Sequence, residues 1–186
     1  MTRFLVAGLI NIETTLRVEG FPLNYFPVTY PFFGVRSTVS GVGYNLAKAL
    51  TTLGNPLTFL SLVGRDPAAG LVQAALAQDS IDPAGVLPIL QETPQSVILY
   101  DPQGRRQIHV DLKDIQETTY PVENFHAALT ESDACLLCNI NFARPFLQAA
   151  RRSGKPIATD VPPLSDMDAP YNADYYLRIG RMYEQN

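Results

Sequence analysis

Ser40-Gly41-Val42-Gly43-Tyr44-Asn45 is the stretch on which the fold turns. After its two glycines, Leu46, Ala47, Leu50 and Leu53 recur at helical spacing, and Gly54 stands where a helix C-terminal cap belongs. Glycines let main-chain amides come close to a neighbouring group. Asn45 projects from the first helical turn, with a side chain that both donates and accepts hydrogen bonds. Sugar hydroxyls need that dual capacity, although a turn that simply starts a helix accounts equally well for the local pattern.

Upstream, Phe4 to Ile10 is a continuous apolar run that suits a buried parallel strand, and Leu16 to Val18 continues in extended fashion. Tyr30 to Val39 is aromatic and β-branched, and Pro27 and Pro31 confine it to an edge or an irregular strand. Asn11 and Glu13 follow the first strand one residue apart, so both face one side. Ligands of open α/β sheets bind beyond the carboxyl ends of strands, which makes Glu13 a candidate binding carboxylate; a solvated strand end is the plainer alternative.

Downstream, Leu57 to Val63 reads as a buried strand and Pro67 to Ala77 as a helix, a βαβα order that implies a parallel sheet. Ser96 to Tyr100 and Arg106 to Leu112 flank Asp101-Pro102-Gln103-Gly104 and predict a hairpin. Alternation of Ile108, Val110 and Leu112 with Gln107, His109 and Asp111 predicts one packed face and one polar face, a sheet able to cover a cleft. The α/β pattern resumes with a helix around Val122, Phe125 and Leu129, a strand from Ala134 to Cys138, a helix near Pro145 to Arg152 and a strand from Pro156 to Thr159. It weakens beyond Pro162. The tyrosine-rich tail, Tyr171 to Asn186, is too short to complete a sheet edge with its covering helix and is expected to pack poorly.

Length and charge bound the function. At 186 residues the chain is one domain by the usual prior, with an ordinary globular composition. Fourteen Lys and Arg against 18 Asp and Glu leave no broad basic surface for a phosphate backbone, so nucleic acid is not an expected partner. Asn11 and Glu13 interrupt the N-terminal apolar run too early for a signal peptide or a membrane span, and a cytoplasmic location is expected.

Cys135 and Cys138 have C-x-x-C spacing, but on a strand their sulfurs face opposite sides and no second ligand pair exists, so no metal is expected. Gly154-Lys155 lacks the upstream glycine of a Walker A loop. His109 and His126 are too isolated for a metal or a nucleophile–base pair, and Arg65, Arg105 and Arg106 read as solvated turn charges.

Four motifs in register carry a family resemblance. Gly8-Leu9-Ile10-Asn11-Ile12-Glu13 resembles the opening strand of the ribokinase-like (PfkB) carbohydrate kinases, and Ser40 to Asn45 resembles their G-G-x-G-x-N signature. Leu62-Val63-Gly64-Arg65-Asp66-Pro67 with Gly70 resembles V-G-x-D-x-x-G, and Asp101 to Arg106 resembles the D-x-x-G-x-R turn. The resemblance covers most of the chain as the family's N-terminal portion. It implies an α/β three-layer sandwich, truncated on its C-terminal side, with a small β-sheet lid from segments near 15–39 and 96–112. The implied activity is phosphoryl transfer from ATP, with Mg2+, to a hydroxyl of a sugar, sugar-like molecule or nucleoside. Asn11, Glu13, Gly41, Gly43 and Asn45 map onto the substrate-binding motifs, and Asn139 or Asn141 falls near another polar contact. A homo-oligomer through lid strands or an exposed sheet edge is a further implication.

Departures accompany the match. Glu13 stands where the family usually has Asp, Ser40 replaces the first signature glycine, and Asn141 falls in the place of an acidic contact. The family's D-T-x-G-A-G-D segment, which supplies the anion hole and the base, is not in this sequence, and neither is N-x-x-E. No catalytic residue is therefore assigned, no cofactor is expected for this chain alone, and the chain by itself is expected not to transfer phosphate. A sugar-binding module without catalysis is the main rival reading. A nicotinamide-dependent oxidoreductase is weaker, because Leu46 holds the third glycine position of G-x-G-x-x-G and the turn does not directly follow the first strand.

Overall fold

The computed structural model describes residues 1–160. The order begins β1 (Phe4–Ala7), β2 (Asn11–Arg17), β3 (Val35–Ser40), α1 (Val42–Thr52), β4 (Leu57–Gly64), α2 (Pro67–Gln78) and β5 (Val86–Leu90). It continues with β6 (Gln95–Tyr100), β7 (Arg106–Asp111), α3 (Val122–Glu131), β8 (Ala134–Leu137), α4 (Leu147–Arg152) and β9 (Ile157–Ala158).

Alternation along β1 divides the core in two. This strand lies at the centre of a five-stranded sheet, β5-β4-β1-β8-β9, whose neighbouring strands are all parallel. Leu5 and Ala7, with Leu60, Leu62, Cys135 and Leu137, pack with Phe125 and Leu129 of α3 and Ala150 of α4. Val6 points the other way and, with Phe59 and Val63, meets Tyr44 and Ala47 of α1 and Val72 and Leu76 of α2. Helices thus cover both faces of a parallel sheet, the three-layer arrangement expected of strands apolar on both sides. Each fully buried side chain, such as Leu5, Leu62 and Phe125, contributes about 1.5–3 kcal/mol.

A second sheet, β3-β2-β6-β7, is mixed: β2 pairs antiparallel with β3 and parallel with β6, and β6 pairs antiparallel with β7. Ile12 and Val39 at its base join the core cluster on the α1 and α2 side. Its outer part does not pack as the alternation of β7 predicted. All six residues of β7 are exposed, Ile108 by 51% and Val110 by 52%, so the apolar face of the hairpin has no cover among the described residues.

Other differences have local causes. The apolar run from Phe4 to Ile10 is not one strand, because the chain leaves the main sheet at Gly8 and begins β2 at Asn11. A Cβ at Gly8 would stand 2.4 Å from Cys138 Sγ and 2.8 Å from Gly43 Cα, so the crossing point admits no side chain. Leu16 belongs to β2 rather than to a separate strand, with Val18 just beyond its end, and β3 starts only at Val35, after a turn in which Phe33 has φ 56°. The helix near Pro145 begins as a 3-10 turn, Arg144–Phe146. Strand β5 carries Pro88 inside an edge strand and gave no readable pattern. The expectation for the tail Tyr171 to Asn186 lies outside the described residues.

Candidate functional site

Two segments converge on Gly8. The N-terminal turn of α1 packs on it through Gly43, whose Cβ would fall 2.5 Å from the Gly8 carbonyl carbon, and Cys138 closes the other side. Gly41 opens the helix at φ 110°, where a Cβ would meet the Leu9 carbonyl oxygen at 2.5 Å, while the Tyr44 amide donates to that same oxygen at 3.2 Å. These glycines bring α1 against the chain's own β1–β2 link. The result is a crevice beyond the carboxyl ends of β1 and β8, where open parallel sheets place their ligands.

Asn11 follows this link as the first residue of β2. It pairs with Ser40 in register, next to Gly41, and is 4% exposed. Its Nδ2 donates to Ser96 Oγ at 3.0 Å, and its Oδ1 is buried with no hydrogen-bond partner. A buried carbonyl oxygen left unpaired costs about 1–3 kcal/mol, and a hydroxyl donor from a ligand would satisfy it. Glu13 lies on the same face, level with Ser96 in the register, and is partly exposed. Asn45 is exposed on the first turn of α1, its amide bonded to Gly41 O at 2.9 Å. Neither the Glu13 carboxylate nor the Asn45 carboxamide bonds to any described residue.

Asn139 and Asn141 follow β8 at the same end of the sheet, but both are engaged internally. Asn139 Oδ1 accepts from Arg144 at 2.6 Å and its amide donates to Asp160 at 2.8 Å, while Asn141 Nδ2 donates to the Gln116 carbonyl at 2.9 Å. They brace the loop after β8. Beside it, Val42, Leu46, Leu136, Leu137, Cys138, Ala158, Thr159 and Asp160 line a mostly apolar cavity of about 160 Å3. Burial, and then Asp160, push the Cys138 thiol up to about 12, so it is inert as a nucleophile. Cys135 sits in the opposite core face, and both cysteines are free.

Two motifs serve the scaffold. The Asp66 carboxylate caps α2 through the Ala69 amide at 3.1 Å and accepts from the amide and hydroxyl of Thr93 at 2.9 and 2.7 Å. This ties the chain entering β6 to the main sheet. Burial would raise this carboxyl, yet the Thr93 and Ala69 hydrogen bonds outweigh it and hold it below the usual range. Asp101 does the same for the hairpin turn, accepting from the Gln103 and Arg105 amides and from Arg105 Nε at 2.7 Å. Arg105 is therefore paired while still exposed, and Arg65 donates to the Pro88 carbonyl. Lys155 caps α3 by donating to the Leu129, Thr130 and Ser132 carbonyls.

Comparison with known proteins decides the family. The profile described as pfkB family carbohydrate kinase matches residues 1–153, most of the chain. The chain belongs to that family. Among curated proteins, the acarbose 7(IV)-phosphotransferase of an Actinoplanes strain is 31% identical over 121 residues, which is 64% of this chain and 40% of that protein. Among solved structures, a microbiome-derived acarbose kinase superposes with a TM-score of 0.76 at 22% identity, covering 94% of this chain and 57% of that one. Arabidopsis thaliana ribokinase, complexed with ribose and ATP, gives 0.69 at 18% identity over 89% of this chain and 55% of that one. The chain therefore spans about half the length of its PfkB relatives, and the ribokinase-like fold is shared over nearly all of its own length.

Among the described residues no group of three or more His, Cys, Asp and Glu could hold a metal ion. No helix among the described residues is long and apolar enough to cross a membrane.

Ser96, which accepts from Asn11, was not among the sequence candidates. It belongs to no motif, and its position was readable only as the start of the hairpin strand.

Proposed function

We propose that this chain is the substrate-binding portion of a PfkB sugar kinase, acting on a sugar, sugar-like molecule or nucleoside, and that Asn11, Glu13 and Asn45 bind the hydroxyls. The supporting observation is the buried Asn11 Oδ1, which lacks a donor; Glu13 on the same sheet face and Asn45 on the first turn of α1 bond to no described residue. Asn11 accepts from one hydroxyl, Glu13 accepts from two adjacent ones, and Asn45 both donates and accepts. Gly41 and Gly43 shape the crevice by admitting α1 so closely, and Asn139 and Asn141 close its far side through their main chain. The second sheet, with the segments near 15–39 and 96–112, acts as a lid.

The relatives fit this reading, since two are named for acarbose and one holds ribose, all polyhydroxylated molecules. ATP-dependent phosphoryl transfer with Mg2+ is proposed for the activity to which this portion belongs, in the cytoplasm. The alternative is a sugar-binding module without catalysis. Calorimetry or NMR with a polyol panel tests the binding claim common to both. Asn45→Ala and Glu13→Ala each weaken every detected polyol about tenfold or more; unchanged affinity in both variants places the site elsewhere.

A further inference from the structure

We propose that the sheet face carrying Asn11 holds a second subsite, built from Arg17, Arg36 and Arg106, that takes an anionic group, carboxylate or phosphate, on the far part of the ligand. The inference rests on the reading above and names the class of ligand for the same site.

The strand register arranges this face in rows. Next after Asn11 and Ser40 lie Thr38, Glu13, Ser96 and Val110. Next come Arg36, Thr15, Ile98 and Ile108, and then Arg17, Tyr100 and Arg106. The bond from Asn11 to Ser96 on this face, and the 2.8 Å contact between Thr14 and Ser37 on the other, fit that alternation. Glu13 is the one carboxylate among these strand residues, set against three guanidinium groups in a chain whose net charge is -4. The positive charge is thus concentrated where the ligand site opens outward.

Those guanidinium groups have little else to do. Arg36 and Arg106 are exposed and bond to no described residue, and Arg17 makes one long contact, Nη2 to the Phe32 carbonyl at 3.4 Å. Arg17 and Arg36 lie on the diagonal of adjacent strands, where like charges repel. Four residues from Glu13 to Arg17 span about 13 Å at the usual strand rise, so a ligand held at Asn11 and Glu13 meets Arg36 first and the outer arginines only if it is elongated.

Chemistry separates the two ends of the face. At the base, Asn11, Ser96 and Asn45 combine donors and acceptors, as hydroxyls require. Farther out the charged groups are donors only, since a guanidinium carries five N–H groups and no acceptor. Carboxylates and phosphates are acceptors that match this fork in a bidentate way, whereas neutral hydroxyls leave half their capacity unused.

Calorimetry on the whole chain tests this with glucose, glucuronate, glucose 6-phosphate and maltose. At least one charged probe binds about tenfold tighter than glucose, the two charged probes distinguishing carboxylate from phosphate. That advantage fades as ionic strength rises from about 0.02 to about 0.5 M, and it is lost in Arg36→Gln and partly kept in Arg36→Lys. If maltose matches the charged probes, with no salt dependence and no effect of Arg36→Gln, the face holds neutral sugar and the inference falls while the polyol site stands. It falls also if anion binding survives both Glu13→Ala and Asn45→Ala undiminished, because the arginines are then a separate patch. If no probe binds at all, the polyol reading fails and this inference fails with it.

Discussion

Asp66 shows how one carboxylate can hold two elements at once. Its acceptors serve the α2 N-terminus and the fully buried Thr93, so Asp66→Ala removes a helix cap and strands two donors. Chemical denaturation should show a loss of at least about 2 kcal/mol. The sign with pH follows from its lowered pKa: the contribution is complete above the unfolded carboxylate value, about 3.9, and disappears as pH falls through the lower folded value. The variant should therefore lose part of the acid-sensitive limb of the parent's stability curve. Sequence reading located Asp66 and Asp101 inside family motifs but could not assign them to the scaffold, because their partners are a distant threonine in one case and turn amides in the other. Asn11 was legible as a candidate, whereas the unpaired state of its oxygen depends on burial by residues far along the chain.

At the scale of elements, close packing of α1 on the β1–β2 link sets the geometry of the crevice. Gly43→Ala would place a methyl 2.5 Å from main chain at Gly8, while Gly70, inside α2, has nothing within 4 Å of its Cβ position. The same substitution should then act oppositely at the two positions in thermal unfolding. Gly70→Ala stabilises by about 0.5–1 kcal/mol through helix propensity, and Gly43→Ala destabilises by about 1–3 kcal/mol through overpacking. Periodicity made α1, β4, α2 and the β6–β7 hairpin readable, since each alternates or repeats without interruption. The break at Gly8 was hidden because Leu9 and Ile10 prolong the apolar run of β1, and both side chains do pack inward, in different core clusters. Strand β5 was hidden by Pro88, which only an edge position tolerates.

For the whole molecule, the outer sheet exposes apolar surface that no described residue covers. Val35 and Val97 on one face, and Ile108 and Val110 on the Glu13 face, are 41–57% exposed. We expect self-association through this sheet, seen in sedimentation as a mass that rises with concentration and is returned to that of a monomer by Ile108→Lys with Val110→Lys. A monomer at all concentrations would show that the hairpin is solvated as it stands. The three-layer core does not depend on that contact, because its two apolar clusters are already closed by α1 and α2 on one face and by α3 and α4 on the other.

The central claim is that Asn11 and Glu13 await ligand hydroxyls, and a cycle of two ligands against two proteins tests it most directly. Titration calorimetry would compare a polyol carrying a vicinal diol with its deoxy analogue, on the parent chain and on Glu13→Ala. The parent should favour the diol by about tenfold, since the analogue leaves the carboxylate or the buried Asn11 oxygen without a donor, and Glu13→Ala should shrink that preference. An undiminished preference in Glu13→Ala, or none in the parent, would contradict the account.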